Sequence, residues 1–92
     1  MDAFGKAAIE IIKTQEGIIG PLALEQAEQV DGLKVDWAAK TATFSGDEGT
    51  VLGKLVEQYK EFFGQTSVEV CKDAVREIMH QVPGAQVPSA LR

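Results

Sequence analysis

Apolar residues recur at helical spacing from the start of the chain. Phe4, Ala7, Ala8, Ile11 and Ile12, with Gln15, share one face, and Lys6, Glu10 and Lys13 fall between them, which predicts a helix from about Asp2 to Glu16. Asp2 suits its first position, because a carboxylate there meets free backbone N–H groups and the positive end of the helix dipole. Gly17 is the expected stop. Pro21 then suits the opening of a second helix, where a missing N–H costs nothing, with Gly20 as its cap. Ile19, Leu22, Ala23, Ala27 and Val30 give that helix an apolar side to about Val30, and Asp31-Gly32 ends it.

The period then changes to two. Leu33, Val35 and Trp37 alternate with Lys34 and Asp36, and after a turn near Ala39-Lys40, Ala42 and Phe44 alternate with Thr41, Thr43 and Ser45. This predicts a half-buried antiparallel hairpin. A two-stranded hairpin is marginal in water, so its apolar face has to pack on the helices or pair with another chain. Ser45-Gly46-Asp47-Glu48 has the form of a capping box, with Asp47 the alternative cap. It opens the most strongly patterned helix, in which Val51, Leu52, Leu55, Val56, Tyr59, Phe62 and Phe63 form a wide apolar stripe opposite Lys54, Glu57, Lys60 and Glu61. Gly64 is the expected terminator. Thr66-Ser67-Val68-Glu69 reads as a second capping box, beginning a last helix through about His80 with Val68, Cys71, Ala74, Val75, Ile78 and Met79 inward.

These elements predict an α+β, mostly helical domain over residues 1–82. Two helical hairpins flank one antiparallel β-hairpin in the order α-α-β-β-α-α, and 83–92 follows as a flexible C-terminal tail with two prolines and no periodicity. That tail is alternatively suited to dock on a partner as an extended peptide. The two helical halves also resemble each other at an offset of 44 positions. Ile11-Ile12 aligns with Leu55-Val56, Gln15 with Tyr59, Ile18-Ile19-Gly20 with Phe62-Phe63-Gly64, and Leu24-Glu25 with Val68-Glu69. Shared apolar periodicity accounts for part of this likeness, so a pseudo-symmetric fold and coincidence both remain open at this level. Gly20-Pro21-Leu22-Ala23 faintly resembles helical modules attached to some bacterial signalling regulators, over four residues that carry no function across.

Composition narrows the function classes. Ninety-two residues allow one core, and such a chain buries only about 60–65% of the surface its unfolded form exposes. The net charge of −5, with no clustered cations, disfavours nucleic acid and anionic membrane surfaces. No apolar run approaches the roughly 20 residues of a membrane span, and the N-terminus lacks the basic and apolar regions of a signal peptide. A single cysteine gives no internal disulfide. Together these point to the cytoplasm.

Candidate chemistry thins out on inspection. Cys71 sits mid-helix among apolar neighbours, and the only histidine, His80, is nine residues on, so nothing lowers the thiol pKa. One histidine makes no zinc site. Glu25 and Glu28, Glu57 and Glu61, and Glu69 and Asp73 pair on helix faces, yet Lys54, Lys60 and Lys72 lie among them as on an ordinary solvated surface. Gly46 and Gly49 frame a helix start without the Lys-Ser/Thr of a phosphate loop. No catalytic, metal or cofactor site is therefore expected.

The remaining candidates are contact or pocket residues: Trp37, Phe44, Tyr59, Phe62 and Phe63. The first expectation is a protein–protein interaction module that forms a homodimer, because a small core without disulfide or metal gains most from association. The second is a binding domain that holds an apolar small molecule between helices and hairpin. A third is an acidic regulator that covers a basic partner surface, with association that weakens as salt rises.

Overall fold

The chain folds as predicted in class and order, with four helices around one two-stranded antiparallel hairpin. A computed structural model describes residues 2–92. The helices are α1 (Ala3–Ile19), α2 (Leu22–Glu28), α3 (Glu48–Phe63) and α4 (Gln65–Met79), and the strands are β1 (Leu33–Asp36) and β2 (Thr41–Phe44).

Helix α1 is the centre, touching α2, α3, α4 and β2. Its Ile11 and Ile12 are fully buried against Leu52, Leu55 and Val56 of α3 and Cys71 and Val75 of α4 within one apolar core. Asp2 caps α1 by accepting the Gly5 N–H at 2.9 Å. The helix continues through Gly17, the expected stop, as far as Ile19. Gly20 ends it instead, because its φ of +71° turns the chain while its N–H still reaches the Glu16 carbonyl at 2.9 Å. Helix α2 closes at Glu28, earlier than expected, and Val30 is buried in the turn that follows.

The hairpin pairs Leu33 with Phe44 and Val35 with Ala42, so these four side chains face inward while Lys34, Asp36, Thr41 and Thr43 face solvent. Trp37, expected at the strand end, lies one residue past the ladder in the turn. Ser45 is held to the hairpin by its N–H bond to the Gly32 carbonyl at 2.7 Å, so the cap of α3 falls to Asp47 and not to Ser45. The Asp47 carboxylate accepts both the N–H and the hydroxyl of Thr50 at 2.8 Å. The second capping box does not form either. Helix α4 starts directly after Gly64, so Thr66 already lies inside it.

The offset of 44 positions seen in the sequence carries through to hydrogen bonding. Gly64 repeats Gly20: its φ is +84°, its N–H meets the Lys60 carbonyl at 2.8 Å, and its carbonyl accepts from Ser67 at 3.1 Å, as that of Gly20 accepts from Ala23 at 3.1 Å. Gln15 donates from Nε2 to the Ser67 carbonyl at 3.2 Å, and Tyr59 donates from its hydroxyl to the Ala23 carbonyl at 2.6 Å. Tyr59 is the counterpart of Gln15, and Ala23 is the counterpart of Ser67. Each half thus reaches into the other at the same place, which is the bonding of a pseudo-two-fold pair of helical hairpins.

Residues 83–92, set apart in the sequence by two prolines and no periodicity, have local structure of their own. They form two 3-10 turns, Gly84–Gln86 and Ser89–Leu91, of which the second packs on α3 and α4 with Leu91 buried. No helix among the described residues is long and apolar enough to cross a membrane.

Replacing Tyr59 by Phe keeps the ring and removes the donor. Unfolding free energy is expected to fall by about 1–2 kcal/mol in denaturant titration, with unchanged helical circular dichroism.

Candidate functional surface

The five aromatics singled out from the sequence do not gather in one place. Tyr59 is 0% exposed and belongs to the core, with its hydroxyl bonded to Ala23. Burial, and secondarily the nearby Cys71, push its pKa far above the ordinary phenol range. Phe63 and Phe44 are half-buried against the core. Trp37 is half-buried too, and Lys40 covers part of what remains. Its ammonium stands 3.9 Å from the indole centroid and donates to the Trp37 carbonyl at 2.6 Å. Lys40 achieves this with a φ of 56°, in the left-handed region.

Phe62 alone of the five is exposed, at 56%, with its ring tilted 50° to that of Phe63 at a centroid separation of 6.4 Å. Ile18 at 62% and Leu22 at 47% join it as the large exposed apolar side chains among the described residues. Ile18 and Phe62 are counterparts at the same offset, each in the last turn before a capping glycine, and Leu22 opens the helix after the first of those glycines. Tyr59, three residues before Phe62, bonds Ala23, the residue after Leu22, and so ties the last turns of α3 to the start of α2. A second link, from Gln58 Nε2 to Gln26 Oε1 at 2.8 Å, fixes α3 against α2 beside them. Ile18 and Leu22 were not among the sequence candidates. The alignment of Ile18 with Phe62 was the available signal.

Other polar groups sit as follows. Cys71 is buried, and burial pushes its thiol pKa up, partly opposed by the 3.4 Å hydrogen bond from Gln15 Nε2. It is therefore a protonated, weakly reactive thiol at neutral pH. His80 is exposed at the end of α4. Glu69 and Asp73 pair with Lys72 and Arg76 one turn on, which on an exposed face contributes little. Gly49, at the start of α3, lies under the Gln86 carbonyl.

One contact was invisible in the sequence. Asp2 at the start of α1 and Glu48 at the start of α3 bring their carboxyl groups close enough to hydrogen-bond when one is protonated. Their hydrogen bond raises the Glu48 pKa, with desolvation and the charges of Asp2 and Asp47 adding to it. The same bond, with the Gly5 N–H, lowers that of Asp2. Two ionised carboxylates at this spot repel, which is a physical cause of the raised Glu48 pKa.

Concavities mark the surface among the described residues. One is a groove of about 890 Å³ along α3, lined by Asp31, Asp47, Glu48, Lys54 and Glu57 and by residues 85–90. Another, of about 400 Å³, lies on the hairpin at Leu33, Lys34, Thr43 and Phe44. Neither is lined by Trp37, Tyr59, Phe62 or Phe63. Compared with protein-family models, curated proteins and solved structures, the chain matches none.

The carboxyl pair gives a signed pH dependence. The raised Glu48 pKa means stability that is present at acid pH and lost as pH rises through that value, while the lowered Asp2 pKa contributes stability of the opposite pH dependence, lost as pH falls through it. Glu48→Gln keeps a donor to Asp2 at every pH. Calorimetry is expected to show its melting temperature above wild type at pH 7, with the gap closing as the pH falls through the raised Glu48 pKa.

Proposed function

We propose that the protein is a small, non-catalytic cytoplasmic interaction module that forms a homodimer through the surface made by Ile18, Leu22 and Phe62. The observation that supports it is the placement of Ile18 and Phe62 at counterpart positions of two pseudo-symmetric halves, both exposed. A two-fold dimer uses one patch twice, so that patch has to match itself. Apolar residues on related corners suit that demand, and an exposed aromatic among them is the residue type that most often anchors an interface.

Charge supports the apolar character of the contact. Two copies at −5 each repel, so association has to come from surface removed from water. Salt screens that repulsion and is expected to tighten the dimer, the opposite of the weakening expected if the chain covers a basic partner. The apolar-ligand reading has less support, because Tyr59 is fully buried within the core and Phe63 and Phe44 pack against that core.

Native mass spectrometry and light scattering test the proposal. A dimer near twice 9.9 kDa is expected, and Phe62→Asp is expected to weaken it at least about 30-fold with the fold intact. A wild-type chain that stays monomeric at millimolar concentration, or a Phe62→Asp dimer as tight as wild type, overturns it.

A further inference from the structure

Residues 82–91 are a tandem of one five-residue unit. Val82-Pro83-Gly84-Ala85-Gln86 is followed by Val87-Pro88-Ser89-Ala90-Leu91, with Val-Pro leading and Ala fourth in each. The backbone repeats as well. Pro83 has φ −53° and ψ 136°, and Pro88 has φ −54° and ψ 138°. Each proline carbonyl then closes a 3-10 turn, accepting from Gln86 at 2.8 Å and from Leu91 at 2.9 Å. Arg92 folds back, its guanidinium donating to the carbonyls of Val87 and Gly84 at 3.2 Å.

All of these bonds lie inside residues 83–92. Among the described residues, no hydrogen bond joins 84–92 to the helices. What holds the segment is shape. Leu91 is buried between α3 and α4, and Val87, Pro88 and Ala90 are half-buried beside it. Helix α3 offers Gly49 and Gly53 underneath, one turn apart. A Cβ on Gly49 would stand 3.0 Å from the Gln86 carbonyl oxygen, and one on Gly53 would stand 3.6 Å from the Pro88 Cβ. Gly49 is what lets the arm lie this close, while at Gly53 a methyl would make ordinary contact and only a larger side chain would intrude.

Such an arm detaches whole. Leaving α3 breaks apolar contacts only, because its backbone groups keep their partners within the arm or face water. Pro83 and Gly84 at its root are exposed, and a Cβ on Gly84 would meet nothing within 4 Å, so the root has room to swing. Nine residues beyond Pro83 reach about 30 Å when extended, which matches the 31 Å long axis of the molecule.

We propose that residues 83–92 are an exchangeable arm, and that the arm of one copy seats on α3 of a second copy with Leu91 in the same socket. The occupant is given by the molecule itself, since the groove already holds this sequence in its own chain. Exchange replaces each contact by its identical counterpart, so protein concentration sets the balance against the arm's own effective concentration. The proposal rests on self-association but on a second surface: Gly53 lies about 14 Å along α3 from Phe62.

Two full-length variants in a Phe62→Asp background test it without the corner surface. Leu91→Glu spoils the arm and keeps the groove, and Gly53→Gln blocks the groove and keeps the arm. Circular dichroism first checks that each is folded. Each alone is expected to be monomeric in native mass spectrometry, and their equimolar mixture is expected to give a 1:1 heterodimer that the free peptide of residues 82–92 dissolves. A mixture that stays monomeric overturns exchange. If wild type is dimeric in that case, self-association stands by the Phe62 surface alone; if wild type is also monomeric, both proposals fall. A second measurement needs neither variant. A photo-crosslinker at Ala90, in a mixture of ¹⁵N-labelled and unlabelled chains, is expected to join α3 of one isotope to the arm of the other. Crosslinks confined to single chains overturn exchange.

Discussion

Two buried hydrogen bonds, given reciprocally between the halves, set the arrangement of everything else. A polar group removed from water has to find a partner, and the Gln15 amide and the Tyr59 hydroxyl find theirs only on the opposite hairpin. The acceptors are backbone carbonyls just past the glycine corners, so corner and donor have to coincide in both halves at once. A slip of one helical residue at α1 against α4 would leave Gln15 without Ser67 and strand its amide among Ile11, Val68 and Cys71. Apolar packing by itself tolerates such slips more readily. The glycine conformations at Gly20 and Gly64 belong to the same constraint, since a side chain at their positive φ would strain the turn that presents each carbonyl.

Much of this was readable from residue pattern, for identifiable reasons. Helices α1, α3 and α4 carry apolar faces long enough to show the 3.6-residue period, and the hairpin shows clean alternation from Leu33 to Phe44. Where local signals competed, tertiary context decided. Ser45 has the letters of a cap but is bonded into the hairpin, and Thr66 has them but stands inside a helix already launched from Gly64. Gly17 looks like a stop, yet a helix interior accepts a glycine at modest cost, and the turn waits for Gly20.

The surface was harder to read than the core. The apolar stripe of α3 is wider than the face its neighbours cover, so adjacent phenylalanines take different fates: Phe63 lies against the core and Phe62 looks out. No periodicity argument separates two consecutive members of one stripe. Asp2 and Glu48 each read as local helix-start residues, and their meeting depends on how α1 crosses the start of α3. The prolines and small residues of 83–92 have the composition of a linker, and no local pattern shows that Leu91 is buried or that Gly49 on another helix lies under Gln86.

The crossed bonds also bear on how the chain acquires its structure during synthesis. The carbonyl that Gln15 needs belongs to Ser67, and the donor for Ala23 belongs to Tyr59, so the first hairpin emerges from the ribosome with no way to complete its own interior. Until α4 has followed, its buried face is open to whatever is near, including the nascent chain of an adjacent ribosome on the same message. Neither hairpin satisfies its own buried polar group, so the interior of each is completed only by the other.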